Sequence, residues 1–271
     1  MDLTSTVELN NGVRIPRLGL GVFRAGDSTR DAVRWALEAG YRHIDTATIY
    51  GNEADVGAAL RDSGVPRDDV FVTTKLWNGD QGFDSARAAF DRSLEALGLD
   101  HVDLWLMHWP VPQTRLEAWR AMEAVYASGR ARAIGVSNFA PRHLDELMAQ
   151  AQVTPAVNQI ELHPFGQQRA AVERSRALGL IVEAYSPLTK GRRLDDPTLA
   201  AIAAEVGRTP AQVLLRWGLQ RDFVVLAKSS NPKRIRENAA VFDFTLGDAH
   251  MARLDALEEG LHTAWDPTDA P

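Results

Sequence analysis

The chain has 271 residues, of which 45% are hydrophobic and 24% charged, enough apolar material for a sizeable core. Thirty Lys+Arg stand against 36 Asp+Glu, a net charge of −6, and with no basic tail or stripe this argues against nucleic acid as a partner. The absence of cysteine excludes disulfides, thiolate zinc sites, Cys nucleophiles and iron–sulfur clusters.

In chain order, Val7-Glu-Leu-Asn-Asn-Gly12-Val-Arg-Ile15 reads as a hairpin with Asn11-Gly12 at its tight turn. Short apolar segments then alternate with helical patterns. Leu18–Gly21 is a strand, followed by a helix opened by Ser28 with Asp31 as its capping-box partner. Tyr41–Asp45 is the next strand, and a second helix follows Asn52. The third strand starts at Val70. The third helix carries Phe83, Ala86, Phe90, Leu94 and Leu97 at spacings of three and four. Further strands read at Val102–Met107, Ala131–Val136, Val157–Ile160, Ile181–Ala184 and Val224–Ala227. Helices between them start at Leu116, Pro141, Arg169, Thr198 and Pro210, the last capped by Thr209. Another starts at Pro232 under an Asn231 cap, and an amphipathic segment runs from about Asp248 to Gly260.

Repeated strand–helix units with no linker predict right-handed crossovers and a parallel sheet. Eight of them in about 240 residues favour a single (β/α)8 barrel over an open doubly wound sheet. The expectation is one α/β domain over 1–271, a TIM barrel with an N-terminal hairpin and an extra C-terminal helix. A barrel places chemistry on the loops at the carboxyl ends of its strands.

Asp45, Tyr50, Lys75 and His108 all belong there. A charged group ending a buried strand is expensive unless something pairs with it. A carboxylate, a phenol, an ammonium and an imidazole meeting at one place would pair and shift one another's pKa values. A free phenol is a poor acid at neutral pH, and a nearby Lys75 ammonium is expected to lower its pKa. Asp45 would hold Lys75 charged, and a neutral His108 would steer a carbonyl oxygen towards Tyr50. Such a site donates a proton but needs a hydride from a cofactor. Other motifs fail. Gly19-Leu-Gly21 lacks the third glycine of a dinucleotide fingerprint, since Arg24 stands there. Gly135-Val-Ser137-Asn138-Phe139 ends in Phe where a nucleophile elbow needs Gly. The histidines show no metal spacing, and no metal is expected.

The ordered set Leu18-Gly-Leu-Gly21, Asp45-Thr-Ala-Thr-Ile-Tyr50-Gly-Asn-Glu53, Thr73-Thr-Lys75, His108-Trp-Pro110, Ile134-Gly-Val-Ser-Asn-Phe139, Val157-Asn-Gln-Ile-Glu161 and Ala184-Tyr-Ser-Pro-Leu188 resembles the aldo-keto reductase superfamily. The resemblance extends to Phe242-Asp-Phe244, almost the whole chain. It looks most like the compact prokaryotic members related to 2,5-diketo-D-gluconate reductase. The resemblance implies a barrel binding extended NADPH/NADP+, with Asp45, Tyr50, Lys75 and His108 as catalytic tetrad and Tyr50 as general acid. It also implies a cofactor set of Gly21, Val22, Asp45, Ser137, Asn138, Gln159, Tyr185, Ser186, Leu188, Lys228, Ser229, Ser230, Arg234, Glu237 and Asn238. In that set Ser137, Asn138 and Gln159 match carboxamide-binding residues, and Tyr185 matches the ring stacked on the nicotinamide. Lys228, Ser229 and Arg234 match the 2′-phosphate contacts that favour NADPH over NADH, and Glu237 and Asn238 match the adenine contacts.

The segment Lys228-Ser-Ser-Asn-Pro-Lys-Arg234 supports this separately, because Lys233 and Arg234 occupy the first turn of a helix. The helix dipole disfavours cations there unless an anion compensates. Three departures from the family stand out. Ala227 replaces a usual proline, Val22-Phe23 a frequent Thr-Trp pair, and Thr189-Lys190 a glycine-containing turn. Lys190, Arg192 and Arg193 are then either a clasp over the pyrophosphate or a solvated loop. Phe23, Trp77 and Trp109, with Tyr50 and His108, would line the pocket for a small aldehyde, α-keto or dicarbonyl substrate, with Trp265 available to fold over it.

Two alternatives stay open: a barrel lyase or aldolase with Lys75 forming a Schiff base, and a silent NADPH-binding sensor or subunit. Met1-Asp-Leu-Thr-Ser-Thr does not resemble a signal peptide and no apolar run approaches a membrane span. The expectation is a cytoplasmic, monomeric enzyme with no membrane partner.

Overall fold

A computed structural model describes residues 1–266. Two short antiparallel strands, β1 (Thr6–Glu8) and β2 (Arg14–Pro16), form the N-terminal hairpin. Eight parallel strands follow: β3 (Leu18–Gly21), β4 (His43–Asp45), β5 (Phe71–Leu76), β6 (Leu104–Met107), β7 (Ile134–Ser137), β8 (Val157–Glu161), β9 (Ile181–Tyr185) and β10 (Val224–Lys228). They close into a barrel in sequence order, β10 pairing β3 from Val225↔Leu18 to Lys228↔Gly21. The helices are α1 (Thr29–Glu38), α2 (Glu53–Asp62), α3 (Phe83–Leu97), α4 (Arg115–Ala127), α5 (Pro141–Met148), α6 (Arg169–Ala177), α7 (Pro197–Val206), α8 (Pro210–Gln220), α9 (Pro232–Ala239) and α10 (Asp248–Asp255). Both α7 and α8 lie between β9 and β10. None of the described helices is long and apolar enough to cross a membrane.

Alternation along the strands sorts the core. Trp105 and Met107 of β6 join the large layer between barrel and helices, whereas Leu104 and Leu106 join a smaller cluster with Val157, Val224 and the hairpin's Leu9 and Ile15. The hairpin therefore plugs the amino end of the barrel with apolar side chains, leaving the carboxyl end for polar ones. Gly19 is required by this packing, since a Cβ there would meet His43 Nδ1 and Leu226 Cδ2 at 2.7 Å.

Local expectations are revised in four places. The hairpin turn centres one residue earlier: Gly12 N–H donates to Leu9 O, and Gly12 follows at φ +85°. Ser28 precedes α1 but makes no side-chain cap, because Gly26–Ser28 already winds as a 3-10 turn, and Asp31 instead pairs with Arg34 at 3.0 Å. Phe83 at the start of α3 is exposed while Ala86, Phe90, Leu94 and Leu97 are buried. Val102 and Ala131 make only an isolated bridge, so β6 and β7 begin later than their apolar runs. Thr209 and Asn231 do cap α8 and α9, accepting from Gln212 N–H, and from Lys233 and Arg234 N–H.

Candidate active site

The ends of β4, β5 and β6 bring three of the four candidate residues together, and the 3-10 turn Thr48–Tyr50 brings the fourth. Lys75 is fully buried. Its ammonium donates to Asp45 Oδ1 and Oδ2, each at 2.6 Å, and to Thr46 O at 2.9 Å. Burial would lower the Lys75 pKa, but the adjacent Asp45 and Tyr50 outweigh it and raise it. That arrangement disfavours a Schiff-base role, which requires a neutral, reachable amine. The Tyr50 ring lies 5.2 Å from Lys75 Nζ and 5.8 Å from the His108 ring.

The phenol departs from expectation. Burial pushes the Tyr50 pKa up, and Lys75, already neutralised by Asp45, only partly offsets it. Tyr50 is therefore a neutral phenol at physiological pH, the form a proton donor needs. His108 is held well below its ordinary value, first by burial and then by the Lys75 charge, so its imidazole is neutral. Its Nδ1 is buried without a partner.

Beneath this group lies a layer of polar side chains, of which the sequence had singled out Gln159 but neither Glu183 nor His43. Gln159 Nε2 donates to Asp45 Oδ2 at 2.9 Å and to Glu183 Oε2 at 2.7 Å. Glu183 is fully buried on β9; burial and the Asp45 charge push its pKa up to about 8. His43 lies 3.7 Å from Glu183 Oε1 and 3.1 Å from Thr73 Oγ1, and burial lowers its pKa to about 3. The one available signal for Glu183 was its charge inside the apolar run Ile181-Val-Glu-Ala-Tyr185.

The remaining candidates ring the barrel mouth. Ser137 Oγ donates to Gln159 O, and Asn138 Nδ2 donates to His108 O and Ser137 Oγ. Tyr185 Oη donates to Asn138 Oδ1 at 2.8 Å. Asn138, Ser186, Thr189 and Lys190 all hold positive φ, a conformation that costs free energy for non-glycine residues and concentrates at functional loops. Gly21 ends β3, buried Val22 donates its N–H to Asp45 O, and Leu188 packs on the core. Phe23, 42% exposed, lies 4.9 Å from Tyr50; Trp77 lies 5.3 Å and Trp109 6.3 Å from His108. These rings make one aromatic wall.

After β10, the neighbour of β3, Lys228, Lys233 and Arg234 are exposed and none has a carboxylate partner among the described residues. Lys228 Nζ donates to Ser230 Oγ at 3.0 Å, and Ser229 Oγ accepts from Asn231 N–H. Because Asn231 already occupies the first N–H groups of α9, an anion there would be met by side chains rather than backbone. Glu237 and the buried Asn238 follow one turn on.

The basic loop after Leu188 does something unforeseen. Lys190 Nζ donates to Thr263 O at 2.7 Å and Arg193 pairs with Glu259, so both tie down the C-terminal tail. Glu161, ending β8, accepts from Thr263 N–H and Oγ1 and from Ala264 N–H. Burial works against that carboxylate's charge, but His163 and the tail donors hold its pKa down at about 2. Gly166 admits the tail, since a Cβ there would stand 2.2 Å from Leu261 O. Trp265 thus packs 5.0 Å from Trp109.

A closed (β/α)8 barrel with these groups at its mouth defines a carbonyl-reducing oxidoreductase class, and the comparisons agree. The Aldo/keto reductase family model matches residues 17–259, and the chain belongs to that family. It is 50% identical to a morphine 6-dehydrogenase of Pseudomonas putida, over 97% of this chain and 94% of the relative. It is 45% identical to a glyoxal reductase of Bacillus subtilis, over 98% of each. The crystal structure of a Bombyx mori aldo-keto reductase in complex with NADP superposes with a TM-score of 0.92 at 36% identity, covering 100% of this chain and 99% of that one. The protein is an NADP-dependent oxidoreductase acting on C=O and CH–OH groups, with NADPH/NADP+ as its cofactor.

Proposed function

We propose that the protein reduces small aldehydes, α-keto compounds or dicarbonyls, with Tyr50 as general acid. The carrying observation is the buried Lys75 ammonium, clamped by Asp45 at 2.6 Å and placed 5.2 Å from the Tyr50 ring. When Tyr50 gives its proton to the carbonyl oxygen, a phenolate forms in a dry site, and an ammonium already fixed there stabilises it with little reorganisation. Asp45 keeps Lys75 charged and oriented. His108, neutral, carries one N–H; its buried Nδ1 has no acceptor, which favours the proton on Nε2 as donor to the substrate oxygen. A bound NADPH would supply hydride chemistry at the carbonyl carbon, and the phenolic proton of Tyr50 would complete the conversion of C=O to CH–OH.

The chain's residues fit that cofactor. Gln159, Asn138 and Ser137 present amide and hydroxyl groups beside the acid, and Tyr185 offers a ring for stacking. Ser186 and Leu188 would border the pyrophosphate. Lys228, Ser229, Ser230 and Arg234 would take the 2′-phosphate, since their cations lack any carboxylate partner among the described residues, and Glu237 and Asn238 the adenine. Phe23, Trp77 and Trp109 make an aromatic pocket wall suited to a compact substrate. The glyoxal reductase relative supports a dicarbonyl within that range.

The test is NADPH oxidation against a panel of aldehydes, α-keto acids and dicarbonyls, with Tyr50→Phe as companion. Turnover of at least one class is expected, with Tyr50→Phe losing about 10²-fold or more in kcat while still binding NADPH. Full activity in Tyr50→Phe would remove Tyr50 from the acid's role, and tight NADPH binding without any turnover would leave a sensor instead.

A further inference from the structure

We propose that Glu183 is a positioning residue for the nicotinamide carboxamide, acting through Gln159. The inference rests on the cofactor-binding reading of Gln159 above. Gln159 Nε2 has two protons, and the chain uses both: one goes to Asp45 Oδ2 at 2.9 Å and one to Glu183 Oε2 at 2.7 Å. The amide is therefore held from two sides, by β4 and by β9. Turning it over would set Oε1 against the Asp45 carboxylate, a repulsion in a site where Gln159 is 2% exposed. Asp45 alone would leave one N–H of the amide free to seek another acceptor. Glu183 removes that freedom.

The consequence lies at the other end of the amide. Gln159 Oε1 takes no hydrogen bond from the described residues. It is the acceptor left over once both N–H groups are fixed, and a primary carboxamide offers the matching N–H donor. Glu183 has no other visible occupation. Its Oε1 is buried without a hydrogen-bond partner, and His43 stands 3.7 Å away, outside hydrogen-bond reach. Burial and Asp45 keep the carboxyl largely protonated at neutral pH, so the acceptor is present without a second full negative charge beside Asp45. A buried carboxyl is a costly way to fill space. As the second anchor of Gln159 it has a function.

The experiment measures dissociation constants for NADP+ and for its 3-acetylpyridine analogue, whose methyl ketone lacks the amide N–H, by quenching of tryptophan fluorescence. The wild-type protein is expected to bind NADP+ about 5- to 10-fold more tightly than the analogue, the worth of one hydrogen bond. In Glu183→Met, which keeps volume but removes the acceptor, that ratio should fall below about twofold. Glu183→Gln retains an acceptor oxygen and should restore it. Should Glu183→Met not fold, Glu183→Ala, which also lacks an acceptor, carries the same comparison. A ratio unchanged in the Met or Ala variant overturns the inference, as does a wild-type protein that binds both ligands equally. Failure of the wild-type protein to bind NADP+ at all would instead overturn the cofactor reading beneath it.

Discussion

Lys75 is the residue on which both the fold and the chemistry of the mouth depend. It is 0% exposed, with all three donors taken by Asp45 and Thr46. Removing one member of a buried ion pair strands the other, at a cost of about 3–5 kcal/mol. Lys75→Met is therefore expected to lower unfolding free energy by about that much in urea titration, and Asp45→Asn combined with it should recover part of the loss while activity stays absent. A Lys75→Met protein as stable as wild type would show that the Asp45–Lys75 pair does not carry that stability. Asp45, Lys75 and His108 were legible in the sequence because an ionisable group at the end of an apolar run demands a partner, and Tyr50 because it follows Asp45 on the same loop. Glu183 was not, because a single polar letter inside Ile181–Tyr185 does not say which face it occupies. The phenol's direction was misjudged for a related reason. The sequence displays the ammonium that lowers the Tyr50 pKa but not the burial that outweighs it.

Whole elements follow the same division between local and distant causes. Caps such as Thr209 and Asn231 were legible because donor and acceptor lie within three residues of each other. Ser28 failed as a cap because a 3-10 turn runs into α1, which no single residue announces. The docking of the tail on Glu161 spans 102 residues and uses the backbone N–H groups of Thr263 and Ala264 beside the Thr263 hydroxyl, a pairing too distant for the local side-chain pattern to reveal. At α9 the cations of Lys233 and Arg234 oppose the helix dipole with no carboxylate to offset them among the described residues. If a 2′-phosphate is their partner, Arg234→Ala should raise the dissociation constant for NADPH about 10- to 100-fold, the range of a charge-assisted hydrogen bond. Its effect on NADH should be under about twofold. Equal losses for both nucleotides would remove Arg234 from the phosphate site.

For the molecule as a whole, buried ionisable groups set how stability varies with pH. Glu161 is held at about 2 against an ordinary 4.5, so its contribution is present above 4.5 and fades as pH falls towards 2. His43, lowered to about 3, and His108, also lowered by burial, contribute above 6.5 and lose that contribution as pH falls. Glu183 has the opposite sign. Its pKa of about 8 lies above the ordinary 4.5, so its contribution is complete below 4.5 and lost as pH rises through 8. Glu53, raised by burial, acts in the same sense. Between 4.5 and 6.5 the two histidines and the two glutamates pull stability in opposite directions. As pH rises past 6.5 the histidines' gain fades, and Glu183 should pull stability down at about 1.4 kcal/mol per pH unit. From pH 6.5 to 8 that amounts to about 2 kcal/mol, or roughly 3–8 °C in Tm for a chain of this size. Thermal melts followed by circular dichroism should show this alkaline decline in the wild-type protein and its absence in Glu183→Gln, which cannot ionise. An equally steep decline in Glu183→Gln would assign the alkaline limb to some other group and leave Glu183 ionised in the folded barrel.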